Sequence, residues 1–235
     1  MSVLICFALK EEAAPFQKIA AGRPDIAIRI VGIGRANAGK SVRGYLAANA
    51  PELVLTCGFA GGLNPDLKVG DVVFETPGSN RDDQPQPQMR NPQSSFRNQM
   101  EPLHVGCCQR LVAAGARPAK FFCADRIATT AAEKKKLRDE TAADAVEMES
   151  AAIHELCRAR GLPCVTVRVI SDRADEDLPL DFNALARPDK SLDAGKLAWA
   201  VARSPGKIGA LLELQKKTDQ AARQLAAVLA KTISA

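Results

Sequence analysis

Short apolar runs alternate with helical patterns along most of the chain. The runs share the length and the β-branched content of buried strands, and they lie at 3–9, 25–33, 53–59, 119–124 and 165–172. Between them, apolar residues recur three and four positions apart, which predicts amphipathic helices. Because strands that are covered on both faces are apolar throughout, this alternation predicts a single α/β domain over 1–235.

Two segments interrupt the alternation. Residues 76–102 are rich in Pro, Gln, Asn and Ser, and a stretch of this length predicts either a disordered loop or a lid over a binding site. Residues 193–235 contain two helical patterns joined at 203–207, and the second pattern places basic residues opposite leucines. We expect this C-terminal helical tail to pack on the sheet, with a membrane-surface role as the alternative.

Composition narrows the class of protein. With 235 residues, 46% of them hydrophobic and 25% charged, the chain can bury a full core. No apolar run approaches the roughly eighteen residues of a membrane span. The net charge of +5 is spread along the helices, and one tyrosine and one tryptophan offer little for base stacking, so nucleic-acid binding is not expected. Seven cysteines without Cys-x-x-Cys spacing, and a first strand with no basic leader, predict a cytoplasmic protein with neither a zinc site nor disulfides.

Carboxylates stand near the ends of three predicted strands. Glu12 follows the first strand, and Asp172 ends the last one. Glu147 and Glu149 flank a methionine where a strand-like pair gives way to a helical pattern. In an open α/β sheet the residues beyond the carboxyl ends of the strands line the ligand crevice, so one acid could hold a ligand while another exchanges a proton. Helix N-terminal acids and strand-end caps explain the same positions equally well.

A possible phosphate-binding loop lies at 34–41, where the pattern Gly-x4-Gly-Lys-Ser stands between a predicted strand and a predicted helix. In an ATPase this loop would hold phosphates, and the strand at 165–172 would hold magnesium. Gly34 and Gly39 also suit a plain tight turn between strand and helix. The P-loop ATPase therefore stays as a distant alternative.

Four motifs relate the chain to a known family. Val-Glu-Met-Glu-Ser-Ala-Ala at 146–152 is followed by Ile-Ser-Asp-x-Ala-Asp at 170–175. Gly-Phe-Ala-Gly-Gly-Leu at 58–63 is followed by Lys-Val-Gly-Asp-Val-Val at 68–73. Together these motifs resemble the nucleoside phosphorylase and nucleosidase superfamily. The resemblance implies a phosphorylase/hydrolase-like fold, a three-layer α/β domain around a central mixed sheet that curls toward a barrel.

The resemblance also implies roles for the acids. Asp172 would donate a proton to a purine ring nitrogen, which requires a protonated carboxyl that burial favours. Glu149 would accept hydrogen bonds from the ribose hydroxyls, and Met148 would pack against the sugar. Glu12 would position an attacking water.

The substrate-binding set that the resemblance implies spans several strand ends. Two of its members, Arg168 and Ser171, are expected to orient Asp172. The full set is Ile33, Phe59, Ala60, Gly61, Ile127, Ala128, Glu147, Met148, Glu149, Arg168 and Ser171. The resemblance implies a homo-oligomer and no metal or organic cofactor.

The implied reaction is cleavage of the N-glycosidic bond of a purine nucleoside, a 5′-substituted adenosine, with release of the free base. Water and phosphate are both open as the acceptor. Glu12 favours water, as does the absence of the arginine that binds phosphate in hexameric purine phosphorylases, where Leu55 and Thr56 stand here. The C-terminal tail and the aliphatic Ile127 favour the alternative of a hopanoid-associated phosphorylase acting on a lipid-linked adenosine. A non-catalytic nucleoside-binding protein is a third class, and the presence of both site acids argues against it.

Overall fold

One mixed sheet runs through the protein. The computed structural model describes residues 1–75, 94–187, 189–190 and 193–234, and it places eight strands in those ranges. The strands are β1 Val3–Phe7, β2 Ile26–Ile30, β3 Leu53–Gly62, β4 Val72–Glu75, β5 Arg117–Ala119, β6 Phe121–Cys123, β7 Ala145–Glu147 and β8 Cys164–Asp172.

Strand β3 connects the two parts of the sheet. Its first residues pair in parallel with β1, whose other neighbour is β2, and most of its length pairs in parallel with β8. Beyond β8 come β4, which is antiparallel to β8, and then β5. The last two residues of β3, Gly61 and Gly62, pair instead with β7, which also pairs with β6. The sheet therefore changes partners at the end of β3, in keeping with the mixed, curling sheet that the sequence predicts.

Helices cover both faces of the sheet. They are α1 Lys10–Ile19, α2 Arg35–Leu46, α3 Ser94–Ala113, α4 Ala131–Thr141, α5 Ser150–Arg158, α6 Phe182–Leu185, α7 Ala194–Arg203 and α8 Ile208–Ser234, with a 3₁₀ turn, Pro205–Lys207, between the last two. Helices α1, α3 and α8 share one apolar core with the sheet, whereas α2 and α5 share a second core on the opposite face. This is the predicted three-layer architecture.

The C-terminal tail is helical and packs on the sheet. Leu225 and Leu229 of α8 are fully buried in the same core as Phe7 of β1 and Val167 of β8. The second half of α8 therefore lies against the sheet as part of this core. Within the described ranges, none of the helices combines the length and the apolar character needed to cross a bilayer.

The segment at 76–102 differs from its predicted loop. Residues 76–93 lie outside the described residues, but 94–102 form the beginning of α3. The predicted loop extends too far because Phe96, Met100, Leu103 and Cys107 recur at helical spacing, a pattern that the turn-forming residues before them obscure.

Two strands end earlier than predicted. Strand β1 stops at Phe7 because Leu9 is the residue that caps α1. Strand β2 stops at Ile30, shortly before Gly32 and Gly34 adopt φ values of +82° and +86°. Backbone in that region leaves the extended conformation and turns the chain into α2.

Candidate active site

The glycine-rich end of β3, residues 58–62, is the point where the predicted site elements meet. Gly61 pairs with Val146 of β7 and, across a register shift, with Asp172 of β8. A β-carbon on Gly61 would lie 3.2 Å from the Val146 side chain and 3.4 Å from Asp172 Oδ2. Phe59 donates its backbone N–H to Glu12 of α1. The end of β3 therefore brings carboxylates from separate elements to one edge of the sheet.

Glu12 is buried and held by backbone on two sides. Its carboxylate accepts the Leu9 N–H and the Phe59 N–H, each at 2.9 Å, and the residue is 3% exposed. Gly58 has a φ of +148°, and a β-carbon there would lie 2.7 Å from Glu12 Oε1. Burial raises the pKa of Glu12 above its usual value, against the lowering effect of the two N–H groups. Glu12 is thus a fixed carboxylate with an increased affinity for a proton.

Arg168 is a buried cation that faces several of these acids. Its Nη2 lies 2.6 Å from Glu147 Oε2 and 3.6 Å from Glu149 Oε2, and it donates to Thr56 Oγ1 at 3.1 Å. The guanidinium also lowers the pKa of Glu12 through its charge, although burial has the larger effect on that group. The Arg168 Nε and Nη1 groups are buried and have no hydrogen-bond partner among the described residues. The sequence predicts that Arg168 orients Asp172, but the ion pairs of Arg168 are with Glu147 and Glu149.

Glu147 supports the site from behind. Its carboxylate accepts the backbone N–H groups of Glu149 and Ser150 at 3.0 and 2.8 Å, together with the Ser150 hydroxyl at 2.6 Å. Burial alone would raise the pKa of Glu147, but the Arg168 charge and the Ser150 hydroxyl bring it below its usual value. The side chain is 0% exposed. Glu147 therefore acts as a cap at the N-terminus of α5. Its side chain has no exposed surface with which to make the expected contact with a ligand.

Glu149 stands at the N-terminus of α5 with one oxygen anchored. Its Oε1 accepts the Gly34 N–H at 2.9 Å, and its side chain is 10% exposed. Burial raises the pKa of Glu149 to about 7, the Arg168 charge opposes that rise, and the Glu147 charge adds to it. In the segment 34–41, the first glycine therefore donates to a carboxylate rather than standing free for a phosphate. This arrangement contradicts the phosphate-cradling interpretation of that segment.

Asp172 ends β8 with both carboxylate oxygens contacted. Ser171 Oγ lies 2.7 Å from Oδ1 and 3.3 Å from the Ala60 carbonyl, and its orienting role stays a prediction. Lys134 Nζ of α4 lies 2.5 Å from Oδ2. Three consecutive lysines, as at 134–136, are typical of a solvated helix face. Lys134 is instead 0% exposed, whereas the side chains of the next two lysines are each 76% exposed.

Two other residues of the predicted substrate-binding set, Ile33 and Ile127, have backbone groups that are hydrogen-bonded to asparagine side chains. Ile127 donates its N–H to Asn183 and accepts the Asn183 amide, each at 2.9 Å. Ala128 and Met148 are buried, at 7% and 8% exposure. The Ile33 carbonyl accepts a hydrogen bond from the Asn37 side chain of α2 at 2.9 Å. Asn183 comes from α6, and no sequence motif indicates it. The Asn183 amide of α6 thus fixes the segment that carries Ile127 and Ala128, two of the expected substrate-binding residues.

Known proteins share sequence and fold with this chain. Residues 11–203 match the family model described as the phosphorylase superfamily. The chain belongs to the phosphorylase superfamily. Its relatives in this superfamily include the 5′-methylthioadenosine/S-adenosylhomocysteine nucleosidase of Chromohalobacter salexigens, 31% identical over 173 residues that make up 68% of this chain and 72% of that protein. The nucleosidase of the same name from Glaesserella parasuis is 29% identical over 167 residues, 68% of this chain and 73% of the relative.

Solved structures of the superfamily share the fold over the whole chain. The 5′-methylthioadenosine/S-adenosylhomocysteine nucleosidase of Helicobacter pylori, crystallised with butyl-thio-DADMe-Immucillin-A, has a TM-score of 0.67 at 18% identity, covering 100% of this chain and 98% of that one. The futalosine hydrolase of Helicobacter pylori has a TM-score of 0.66 at 18% identity, covering 100% and 97%. At these identities the likeness establishes the fold.

Membership of the phosphorylase superfamily confirms the resemblance that the four motifs carry. The prediction of an enzyme that cleaves N-glycosyl bonds is confirmed with it. The relatives do not support the hopanoid-associated alternative. The homo-oligomeric state and the cytoplasmic location stay predictions.

Proposed function

We propose that this protein hydrolyses the N-glycosidic bond of a 5′-substituted adenosine, of the methylthioadenosine and S-adenosylhomocysteine class, and releases adenine. The names of the two nucleosidase relatives support the substrate class. The observation that carries the proposal is that Glu12 and Asp172 meet at the glycine-rich end of β3, while Glu149 lies 3.6 Å from Arg168, the β8 residue that pairs with Gly58 at the same end of β3. Three buried acids at one sheet edge provide a base, a sugar ligand and an acid for one reaction.

Asp172 is assigned the protonation of the purine leaving group. As the bond between the purine and C1′ breaks, its electron pair moves onto the purine, and the carboxyl proton of Asp172 passes to a purine ring nitrogen. A neutral purine is a far better leaving group than an anion, and a positioned acid of this kind contributes about 100- to 10,000-fold in rate. Ser171 holds one oxygen of that carboxyl, which restricts its rotation.

Glu149 is assigned the binding of the ribose hydroxyls, and Met148 is assigned the packing against the sugar. Positive charge develops on the ribose in an oxocarbenium-like transition state, so a carboxylate there stabilises the charge as well as binding hydroxyls. One carboxylate oxygen of Glu149 accepts the Gly34 N–H. The neighbouring ion pair between Arg168 and Glu147 holds the other nearby charges in place. This role requires an ionised Glu149.

Water is the proposed acceptor, with Glu12 as the base. The water oxygen bonds to C1′ and its proton passes to Glu12, whose burial favours proton uptake. The unpartnered N–H groups of Arg168 are available to hold a water in the same region. The positions that correspond to a phosphate-binding arginine hold Leu55 and Thr56, both buried, which supports water over phosphate.

Base release in the presence and absence of phosphate tests the proposal. The protein is incubated with methylthioadenosine, S-adenosylhomocysteine, adenosine and inosine, and free base is measured by chromatography. We expect adenine from the two 5′-thio substrates at a rate that phosphate does not change. Release that requires phosphate would establish a phosphorylase instead, and affinity without release would establish a binding protein.

Cytoplasmic location and a homo-oligomeric state belong to the same proposal. The seven cysteines are all free, and five of them are buried, which supports a reducing compartment. Sedimentation of the purified protein tests the oligomeric state, and a single species with the mass of one chain would overturn that part.

A further inference from the structure

Lys134 is a buried lysine that the mechanism above leaves unused. Its side chain is 0% exposed on the inner face of α4. Nζ lies 2.5 Å from Asp172 Oδ2, and it donates to the carbonyl oxygens of Arg173 and Glu176 at 2.7 and 2.8 Å. The first oxygen belongs to Asp172 at the end of β8, and the two carbonyl oxygens belong to the turn that follows. The ammonium therefore binds the proposed acid and the turn next to it.

The contact fixes the acid in one orientation. Ser171 lies on Oδ1, and apart from the ion pair with Lys134, Oδ2 has no hydrogen-bond partner among the described residues. The carboxyl plane of Asp172 is thus held at both oxygens. Because burying an ammonium is costly unless it is paired, an uncharged donor would serve the two carbonyl groups at lower cost. The charge of Lys134 is explained by the carboxylate.

We propose that Lys134 is a positioning residue for glycosidic-bond cleavage, which holds the Asp172 carboxyl and stabilises the carboxylate that forms when its proton passes to the purine. This inference rests on the proposed function. In the step concerned, the C1′–N bond breaks, the electron pair goes to the purine, and the proton leaves Asp172. The negative charge left on Asp172 then lies 2.5 Å from the ammonium. Charge that develops beside a fixed cation in a buried site lowers the barrier.

Removal of the charge has a predictable sign. A neutral residue at 134 removes the cation that lies 2.5 Å from Asp172 Oδ2, so the carboxylate that forms as the bond breaks loses its partner. The loss should appear in kcat rather than in KM, because the contact acts on a group that changes charge during the step and not on the substrate. The maximal rate should fall on the order of 100-fold, because the forming carboxylate is no longer stabilised.

The experiment compares two neutral variants, a charged variant and a surface control. K134M removes the ammonium, and K134Q keeps an amide that can donate to the two backbone carbonyls. K134R restores a cation, and K135M removes a neighbouring lysine that is 76% exposed. The values of kcat and KM for adenine release from methylthioadenosine are measured for each protein, with circular dichroism as the check on folding. We expect a low kcat with a nearly unchanged KM in K134M and K134Q, partial rescue of kcat in K134R, and unchanged values in K135M.

Each other outcome overturns the inference. An unchanged kcat in a folded K134M or K134Q, with the wild type active, would leave the proposed function intact and refute the role of Lys134. Failure of both neutral variants to fold would show that Lys134 acts in stability alone. A wild type that releases no base from any nucleoside would instead refute the proposed function, and the inference would fall with it.

Discussion

Gly58 is the residue whose replacement tests the placement of Glu12 most sharply. A β-carbon at 58 would lie 2.7 Å from Glu12 Oε1 and 2.9 Å from both Cδ and Oε2, whereas contacts are ordinary only from 3.4 Å. The carboxylate would have to move by more than half an ångström. It cannot do so freely, because Leu9 and Phe59 each hold it with an N–H group. G58A should therefore disturb both the backbone and the acid.

The expected cost has two parts. The φ of +148° is rarely adopted by residues with a side chain, and such strain costs about 1–3 kcal/mol. Displacement of Glu12 breaks a hydrogen bond to a charged group, worth about 1.5–3 kcal/mol. The G58A protein should then lose about 2.5–6 kcal/mol of unfolding free energy, the sum of the two parts. In an E12A background the space is empty, so only the backbone strain of about 1–3 kcal/mol should remain.

A double-mutant cycle measures this coupling. Urea unfolding is followed for wild type, G58A, E12A and G58A/E12A, with G106A as the control because a β-carbon on that glycine of α3 meets nothing within 4 Å. G106A should be neutral or stabilising by about 1 kcal/mol, since alanine favours a helix over glycine. If G58A lowers the unfolding free energy equally with and without Glu12, the close contact between position 58 and the Glu12 carboxylate is refuted. The placement of Glu12 as the general base would then be refuted with it.

Three further predictions follow from the buried charges and the Asn183 contact. The pKa of Glu149 is raised to about 7 in the folded protein, so ionisation of this carboxyl opposes folding. The unfolding free energy of the wild type should therefore fall relative to that of E149Q between pH 4.5 and 7, by on the order of 3 kcal/mol. Parallel curves of unfolding free energy against pH for the two proteins would contradict this. R168M strands the buried Glu147 charge and should cost about 3–5 kcal/mol in urea unfolding, and a loss under 1 kcal/mol would show that the pair is unimportant. N183A removes both partners of the Ile127 backbone and should raise KM by up to about thirtyfold with kcat less affected, because two hydrogen bonds of about 1 kcal/mol each position the segment that carries Ile127. An unchanged KM would exclude that role.

The positions of the three acids could be predicted, because strand ends of a parallel sheet meet at one edge and the strands are evident from their apolar runs. Glu12, Glu149 and Asp172 all lie at that edge. What each carboxylate binds could not be predicted in the same way. Glu147 and Glu149 are two residues apart in one motif, yet one is saturated by α5 and Arg168 while the other keeps an exposed fraction.

Lys134 shows where charge misleads a sequence-based prediction. A run of three lysines predicts a solvated face, but helical spacing places Lys134 on the same side as Leu137, Arg138 and Thr141, which are all partly buried. That periodicity was the available signal. Its partner Asp172 is 38 positions away in the sequence, and only the fold brings the two together. Asn183 is hidden for the same reason, since its contact with Ile127 spans 56 positions.

The most direct test of the account is the rate of adenine release by D172N compared with wild type, measured on methylthioadenosine without phosphate under single-turnover conditions. The asparagine keeps the size of the side chain and removes the transferable proton, so binding should persist while release slows by about 100- to 10,000-fold. Near-normal release by a folded D172N would contradict the account, because the acid assigned to the purine would then be dispensable.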